Sequence, residues 1–279
     1  MLSVASARQS DNLGAAGNME VDQVQRMIRL KRKIIEVATA CNEGHIPAAF
    51  SILDILWVLY DRILGITPET LDDPDRHRFI LSKGHASIGL YIVLAERGIL
   101  DPSHLERFGM FGSILGGHPD RTKVPGIEAS TGSLGHGFPM AAGLALGAKI
   151  RKTSSKVYAI VGDGECNEGT IWESAMFAAH RELDNLYCIV DQNHSGDIAL
   201  HAGDFRQKFE SFGWHTVRIN GHDQDEIYRA LSQHVPGKPV AVIAETIKGN
   251  GCKIMENSPE WTHKYPRPDE LEAMLQTLR

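Results

Sequence analysis

Three runs, Val157–Val161, Leu186–Asp191 and Val240–Thr246, carry strand-forming apolar residues at consecutive rather than alternating positions. Such strands are buried on both faces, and when helix-length segments separate them they belong to a parallel sheet covered on each side. Thr170–Glu182 and Asp223–His234 supply two of those helices, with a short helix near Phe205 and a short strand over Thr216–Ile219 between them. Upstream, Arg78–Leu81 reads as a further buried strand and His85–Arg97 as the helix that follows it. The expected fold is α/β, a doubly wound and mostly parallel sheet with helices on both faces, forming one domain over 19–279.

Glu20–Cys41 places Val24, Met27, Ile28, Ile34, Ile35 and Ala38 on one helical stripe, with Gly44 as its stop. Ser51 followed by Asp54 predicts the start of a second helix reaching Tyr60, and Asp101-Pro102 the start of another. Residues 109–137 are dense in Gly, Pro and His, and a loop of that length inside a compact domain is usually functional. Met1–Asn18 has no central apolar run of signal-peptide length and reads as a flexible tail. The balance of 29 basic and 35 acidic residues argues against a nucleic-acid backbone as partner. Ile52–Tyr60, interrupted by Asp54, is too short to span a membrane. Cys41, Cys166, Cys188 and Cys252 stand far apart without a CxxC pair, which excludes a zinc ribbon and suits a reducing cytoplasm.

The first long strand runs directly into Gly162-Asp163-Gly164-Glu165, and the next into Gln192-Asn193. Ligands of doubly wound sheets bind beyond the carboxyl ends of strands. Asp163 offers a carboxylate oxygen to a divalent cation, Asn193 a neutral carbonyl oxygen, and the backbone carbonyl near Ser195 a third. The helix beginning near Glu168 points its positive end at the same place, favouring an anion. A GDG turn alone ends many strands. Joined to an asparagine thirty residues after Asp163, it is the signature of thiamine diphosphate enzymes, and that resemblance implies Mg²⁺, with Ca²⁺ or Mn²⁺ as substitutes, held by Asp163, Asn193 and Ser195 against a diphosphate.

Four more segments, Gly44-His45-Ile46-Pro47, Leu81-Ser82-Lys83-Gly84-His85, Gly116-Gly117-His118-Pro119 and Thr131-Gly132-Ser133-Leu134-Gly135-His136-Gly137, resemble the amino-terminal half of transketolases in order and spacing, over about residues 24–266. The resemblance implies a transfer of a two-carbon ketol unit from a ketose or ketose phosphate to an aldose. His45 and His118 would face sugar hydroxyls, and His85 would lie between the diphosphate and the reacting carbon. Gly132, Ser133, Leu134, Gly162, Gly164 and Glu165 would border the cofactor. Imidazoles suit this task because they exchange protons near neutral pH. Glu168 and Glu173 match two acids of a network joining the active sites of a dimer, or they are an ordinary pair in the first turns of a helix. A last active-site histidine corresponds to His263, or in a gapless register to Thr262. Cys166, without a histidine at nucleophile spacing, reads as packing.

In this family the glutamate that activates thiamine diphosphate, the platform for its pyrimidine ring and the phosphate clamp lie in the following domain, which residues up to Arg279 do not contain. The resemblance therefore implies the amino-terminal subunit of a split transketolase, active with a separate carboxyl-half subunit in an assembly of two copies of each. Two rivals are the α-subunit of a 2-oxo acid dehydrogenase, which the LSKGH, GGHP and TGSLGHG segments disfavour, and a half-enzyme that only binds cofactor. A Rossmann-type nucleotide protein lacks its GxGxxG after the first strand.

Overall fold

The structure, a computed structural model, describes residues 4–279, with side chains from Val21 onward. Five strands, β1 (Arg78–Leu81), β2 (Val157–Gly162), β3 (Leu186–Gln192), β4 (His215–Asn220) and β5 (Val240–Glu245), form one parallel sheet in the order β1-β2-β3-β5-β4. Alternate residues of each strand enter different cores, as the pleat requires. Tyr158, Ile160, Tyr187, Ile189 and Val242 pack with α1 (Val4–Cys41), α2 (Ile46–Val58), α3 (Ser87–Glu96) and α7 (Gln224–Ser232). Val157, Ala159, Val161, Cys188, Val190 and Ile243 pack on the other face with α4 (Gly137–Arg151), α5 (Gly169–His180) and α6 (Phe205–Ser211). A short α8 (Pro268–Gln276) closes the chain over α1. The doubly wound sheet is thus present with helices on both faces.

The local expectations fare unevenly. α1 begins at Val4, so its first turns cover most of the segment read as a tail, where four alanines and no proline leave the backbone free to stay helical. Met1–Ser3 lie outside the described residues. The second helix starts at Ile46 and not at Ser51: Pro47 occupies its first turn, where proline is preorganised. Ser51 and Asp54 are consequently buried mid-helix residues. Asp101 does cap a turn, accepting the Ser103 N–H at 2.9 Å, but the turn is a 3-10 helix over Pro102–Arg107. Helix α4 has no counterpart in the sequence reading. Gly137, Gly143 and Gly147 lower its propensity, and Met140, Leu144 and Ile150 on its exposed side blur the apolar stripe.

Candidate active site

Four strand ends converge on one cavity of about 560 Å³ whose lining includes His85, Leu134, Asp163, Asn193, Lys248 and Thr262. β1 leads into Ser82–His85, β2 into Asp163–Glu165, β3 into Asn193–Gly196, and β5 into Thr246–Lys248. In a parallel sheet all carboxyl ends share one edge, so residues far apart in sequence arrive together.

Asp163 is 6% exposed. Its Oδ1 accepts from the N–H groups of Gly164 at 2.6 Å and Gly196 at 3.2 Å, whereas its Oδ2 is buried and has no partner. Burial pushes its carboxyl pKa up, the nearby Asp191 adds to this, and Lys83 opposes it. A buried carboxylate oxygen without a donor is costly unless a cation faces it. Asn193 Oδ1 accepts the Ser195 N–H at 3.1 Å and the Ser195 hydroxyl, which lies 3.5 Å from Asp163 Oδ1. Oxygens from two strand tips therefore meet around Ser195, a donor set that suits a hard cation keeping several waters or phosphate oxygens. Gly164 and Gly196 permit this approach: a Cβ at Gly196 would lie 2.7 Å from the Gly164 backbone.

Glu165 has a different place from Asp163. Its carboxylate accepts from the Ser82 hydroxyl, from Gly135 N–H at 2.9 Å and from Gly162 N–H at 3.1 Å, and it is almost wholly buried. It ties the GDG turn to two other loops, and burial raises its pKa. The loops themselves touch: a Cβ at Gly84 would stand 2.9 Å from the backbone of Thr131 and Gly132, and the Thr131 hydroxyl donates to the Leu81 carbonyl at 2.7 Å. Leu134 reaches the cavity, while Ser133 is exposed with its hydroxyl 3.2 Å from His136 Nδ1.

Three of the four singled-out histidines cluster. His45, in the left-handed region at φ 64° just before α2, lies 5.4 Å from His85 and 4.8 Å from His263 between ring centroids. The His45 N–H donates to the Thr262 carbonyl at 3.1 Å, which holds the segment before Lys264 against the start of α2. Burial, followed by the neighbouring His263, His118, Lys248 and Lys83, pushes the His45 pKa down to about 4. Burial and then Lys83 push that of His85 down to about 2. Both rings are thus neutral at pH 7, and His45 Nδ1 is buried without a partner. His118 is exposed at the rim, its ring against Gly132, and its loop is held by Ser87 Oγ donating to the Gly117 carbonyl at 2.8 Å and Tyr91 to that of His118 at 3.1 Å. Thr262 lines the cavity and its hydroxyl accepts from Lys248 Nζ at 3.3 Å, whereas His263 is exposed beside His45 and is not part of the cavity lining.

Glu168 and Glu173 are exposed on α5 and its entry, Glu173 on the same helical face as the exposed Met176 and Phe177. Cys166 is buried among apolar groups, and its thiol pKa is raised well above the usual range. Sequence reasoning did not single out Lys83, Asp191 or Lys248 as site residues. Lys83 pairs with Asp191 beneath the cavity at 2% and 0% side-chain exposure, and Lys248 stands at its wall with a pKa lowered by burial and by Lys83. A charged residue at the end of an apolar strand, as Asp191 is, was the available signal.

The family model described as "Transketolase, thiamine diphosphate binding domain" matches residues 22–273. The chain belongs to the transketolase family. It is 40% identical to an apulose-4-phosphate transketolase subunit of Actinobacillus succinogenes, over 94% of this chain and 98% of that one. It is 36% identical to a 6-deoxy-6-sulfo-D-fructose transketolase subunit of a Clostridium species, over 85% and 89% of the two chains. Human transketolase is 37% identical over 90% of this chain, which spans only 41% of the human one. Among solved structures, a transketolase from Pichia stipitis superposes with a TM-score of 0.83 at 28% identity, covering 91% of this chain and 40% of the other. This sheet is therefore the transketolase diphosphate-binding fold, with the cavity at its carboxyl edge.

Proposed function

We propose that the chain is the diphosphate-binding subunit of a two-chain transketolase, which moves a two-carbon ketol unit from a ketose or ketose phosphate to an aldose with thiamine diphosphate and Mg²⁺. The observation that carries this is the unpartnered, buried Oδ2 of Asp163 beside Asn193 Oδ1, in a cavity that also holds His85. Asp163, Asn193 and the Ser195 carbonyl would hold the cation, and Gly132, Leu134, Gly162 and Gly164 would let backbone approach the cofactor. Bound there, thiamine diphosphate supplies the making and breaking of a carbon–carbon bond beside a carbonyl. The chain's own residues then position the sugar. His45 and His85, neutral at pH 7, each keep an unprotonated ring nitrogen that can accept a hydrogen bond from a sugar hydroxyl, and burial lowers their pKa below the near-neutral range expected of a free imidazole. His118 and His263, both exposed, would contact the sugar from outside the cavity, and Lys248 adds a positive charge near Asp163.

The need for a carboxyl-half subunit is supported by the near-complete match to chains that are themselves named transketolase subunits, and by the match to less than half of the human enzyme. The exposed Met140, Leu144, Met176 and Phe177 on α4 and α5 support self-association in a two-plus-two assembly. Among the described residues no helix is long and apolar enough to cross a membrane, and the four free cysteines fit the cytoplasm as compartment.

The test is ketol transfer measured with the chain alone and with a carboxyl-half subunit, supplying thiamine diphosphate, Mg²⁺ and xylulose 5-phosphate with an aldose acceptor. Turnover that requires both chains is expected. Robust turnover by the chain alone, or turnover of pyruvate instead, would refute the proposal.

A further inference from the structure

Asp191, next to last in β3, meets five partners. Its backbone carbonyl accepts from Asp163 N–H at 3.2 Å. Its Oδ2 accepts from Ser51 Oγ at 2.8 Å, from Asn193 Nδ2 at 2.9 Å and from the Lys83 ammonium, and its Oδ1 from the Thr246 hydroxyl. The carboxylate is therefore saturated, wholly buried and neutralised by an equally buried lysine. Such a group has no capacity left for a ligand, yet it touches both residues whose oxygens face the cation position.

An asparagine side chain has two nearly isosteric ends, a donor and an acceptor, and rotation about its last bond exchanges them. Which end faces Ser195 and Asp163 is decided by what faces the other. Asp191 offers only an acceptor on that side, so it holds Nδ2 inward and turns Oδ1 toward the cavity. Residues behind a metal ligand commonly tune it in this way.

We propose that Asp191 is the positioning residue that fixes the polarity of the Asn193 amide and the height of Asp163, with Lys83, Ser51 and Thr246 holding its carboxylate in place. The inference rests on the cation assignment to Asp163 and Asn193, and it goes beyond it by making the site depend on a residue that touches no ligand. It has a consequence that simple attraction does not share. Asn193→Asp adds a negative charge beside the cation, yet it also removes the inward donor and sets a second carboxylate against Asp191.

The test is a Mn²⁺ titration of the full chain together with thiamine diphosphate and its carboxyl-half subunit, read from the signal of free Mn²⁺ by electron paramagnetic resonance. Asn193→Asp is expected to weaken Mn²⁺ binding by about tenfold or more. The exchange Asp191→Asn with Asn193→Asp restores a donor facing an acceptor at the same total charge, and is expected to recover most of that loss. Ser51→Ala, which keeps the buried pair and should fold, is expected to weaken binding by about threefold, the size of one lost hydrogen bond. Equal or tighter binding by Asn193→Asp, an exchange variant no better than that single variant, or unchanged binding by Ser51→Ala would each overturn the role of Asp191. Asp163→Ala with wild-type Mn²⁺ affinity would instead overturn the cation assignment beneath it.

Discussion

The rings of His45 and His263 meet edge to face with centroids 4.8 Å apart, one at the start of α2 and the other beyond the last strand. The chain is brought round by backbone contact: Thr262 accepts the His45 N–H, and a Cβ at Gly44 would stand 2.8 Å from the His263 carbonyl. The His263 ring this close disfavours protonation of His45, adding to the effect of burial.

That environment sets a pH dependence. Unfolded imidazole titrates near 6.5, while burial holds His45 at about 4 and His85 at about 2 in the folded chain. As pH falls below 6.5 the unfolded chain takes up these protons first, so the two groups withdraw stability as the solution is acidified, by up to about 1.4 kcal/mol per pH unit for each. The raised carboxyls of Asp163 and Glu165 work in the opposite direction in the metal-free chain. Urea unfolding of the wild type and of His45→Gln between pH 7 and pH 4.5 separates the two: the variant should lose less stability on acidification. Parallel losses would show that His45 is not held neutral by its surroundings.

Asp163 should show a trade between binding and stability. Its ionised form is disfavoured by burial and by Asp191, so Asp163→Asn removes an unfavourable charge when no cation is bound. The metal-free variant is expected to melt no lower than wild type, while Mg²⁺-dependent binding of thiamine diphosphate falls by about a hundredfold or more. Calorimetry with and without Mg²⁺ reads both effects, and a clear fall in the metal-free melting temperature would contradict the orphaned Oδ2.

Glu165 is the tie between three loops, and its oxygens face only donors. Glu165→Gln must turn an amide donor toward the Gly162 or Gly135 N–H or the Ser82 hydroxyl, leaving a buried donor unsatisfied. A loss of about 1–3 kcal/mol in urea unfolding is expected. An unchanged midpoint would mean that the carboxyl is already protonated and donating.

Gly84→Ala probes the contact between the cofactor loops. Its new methyl would meet the backbone at Thr131 and Gly132, which cannot rotate aside as a side chain can. Overpacking of this kind costs about 1–3 kcal/mol, and thiamine diphosphate affinity should fall with it because Leu134 and His85 move apart. Gly143→Ala, with nothing within 4 Å of the added carbon, serves as the control expected to leave cofactor affinity unchanged and stability no lower, with a gain of up to about 1 kcal/mol from helix propensity.

The buried strands, the glycine-flanked Asp163, and Asn193 at the next strand tip were readable in the chain, because a two-sided strand writes a continuous apolar run and a strand end is a local event. So were the histidine segments as local motifs, although not their contacts with one another. Helix α4 was not readable, because its glycines and its mixed surface erase the period on which such reading depends. Ser51 shows the other limit: its local pattern suggests a helix cap, yet it is buried and bonded to Asp191. Only the tertiary structure placed Lys83 against Asp191, Glu165 under the Gly135 loop and His263 beside His45. Those pairings are set by which strands lie side by side, and strand order is decided by packing across the whole sheet rather than by any segment within it.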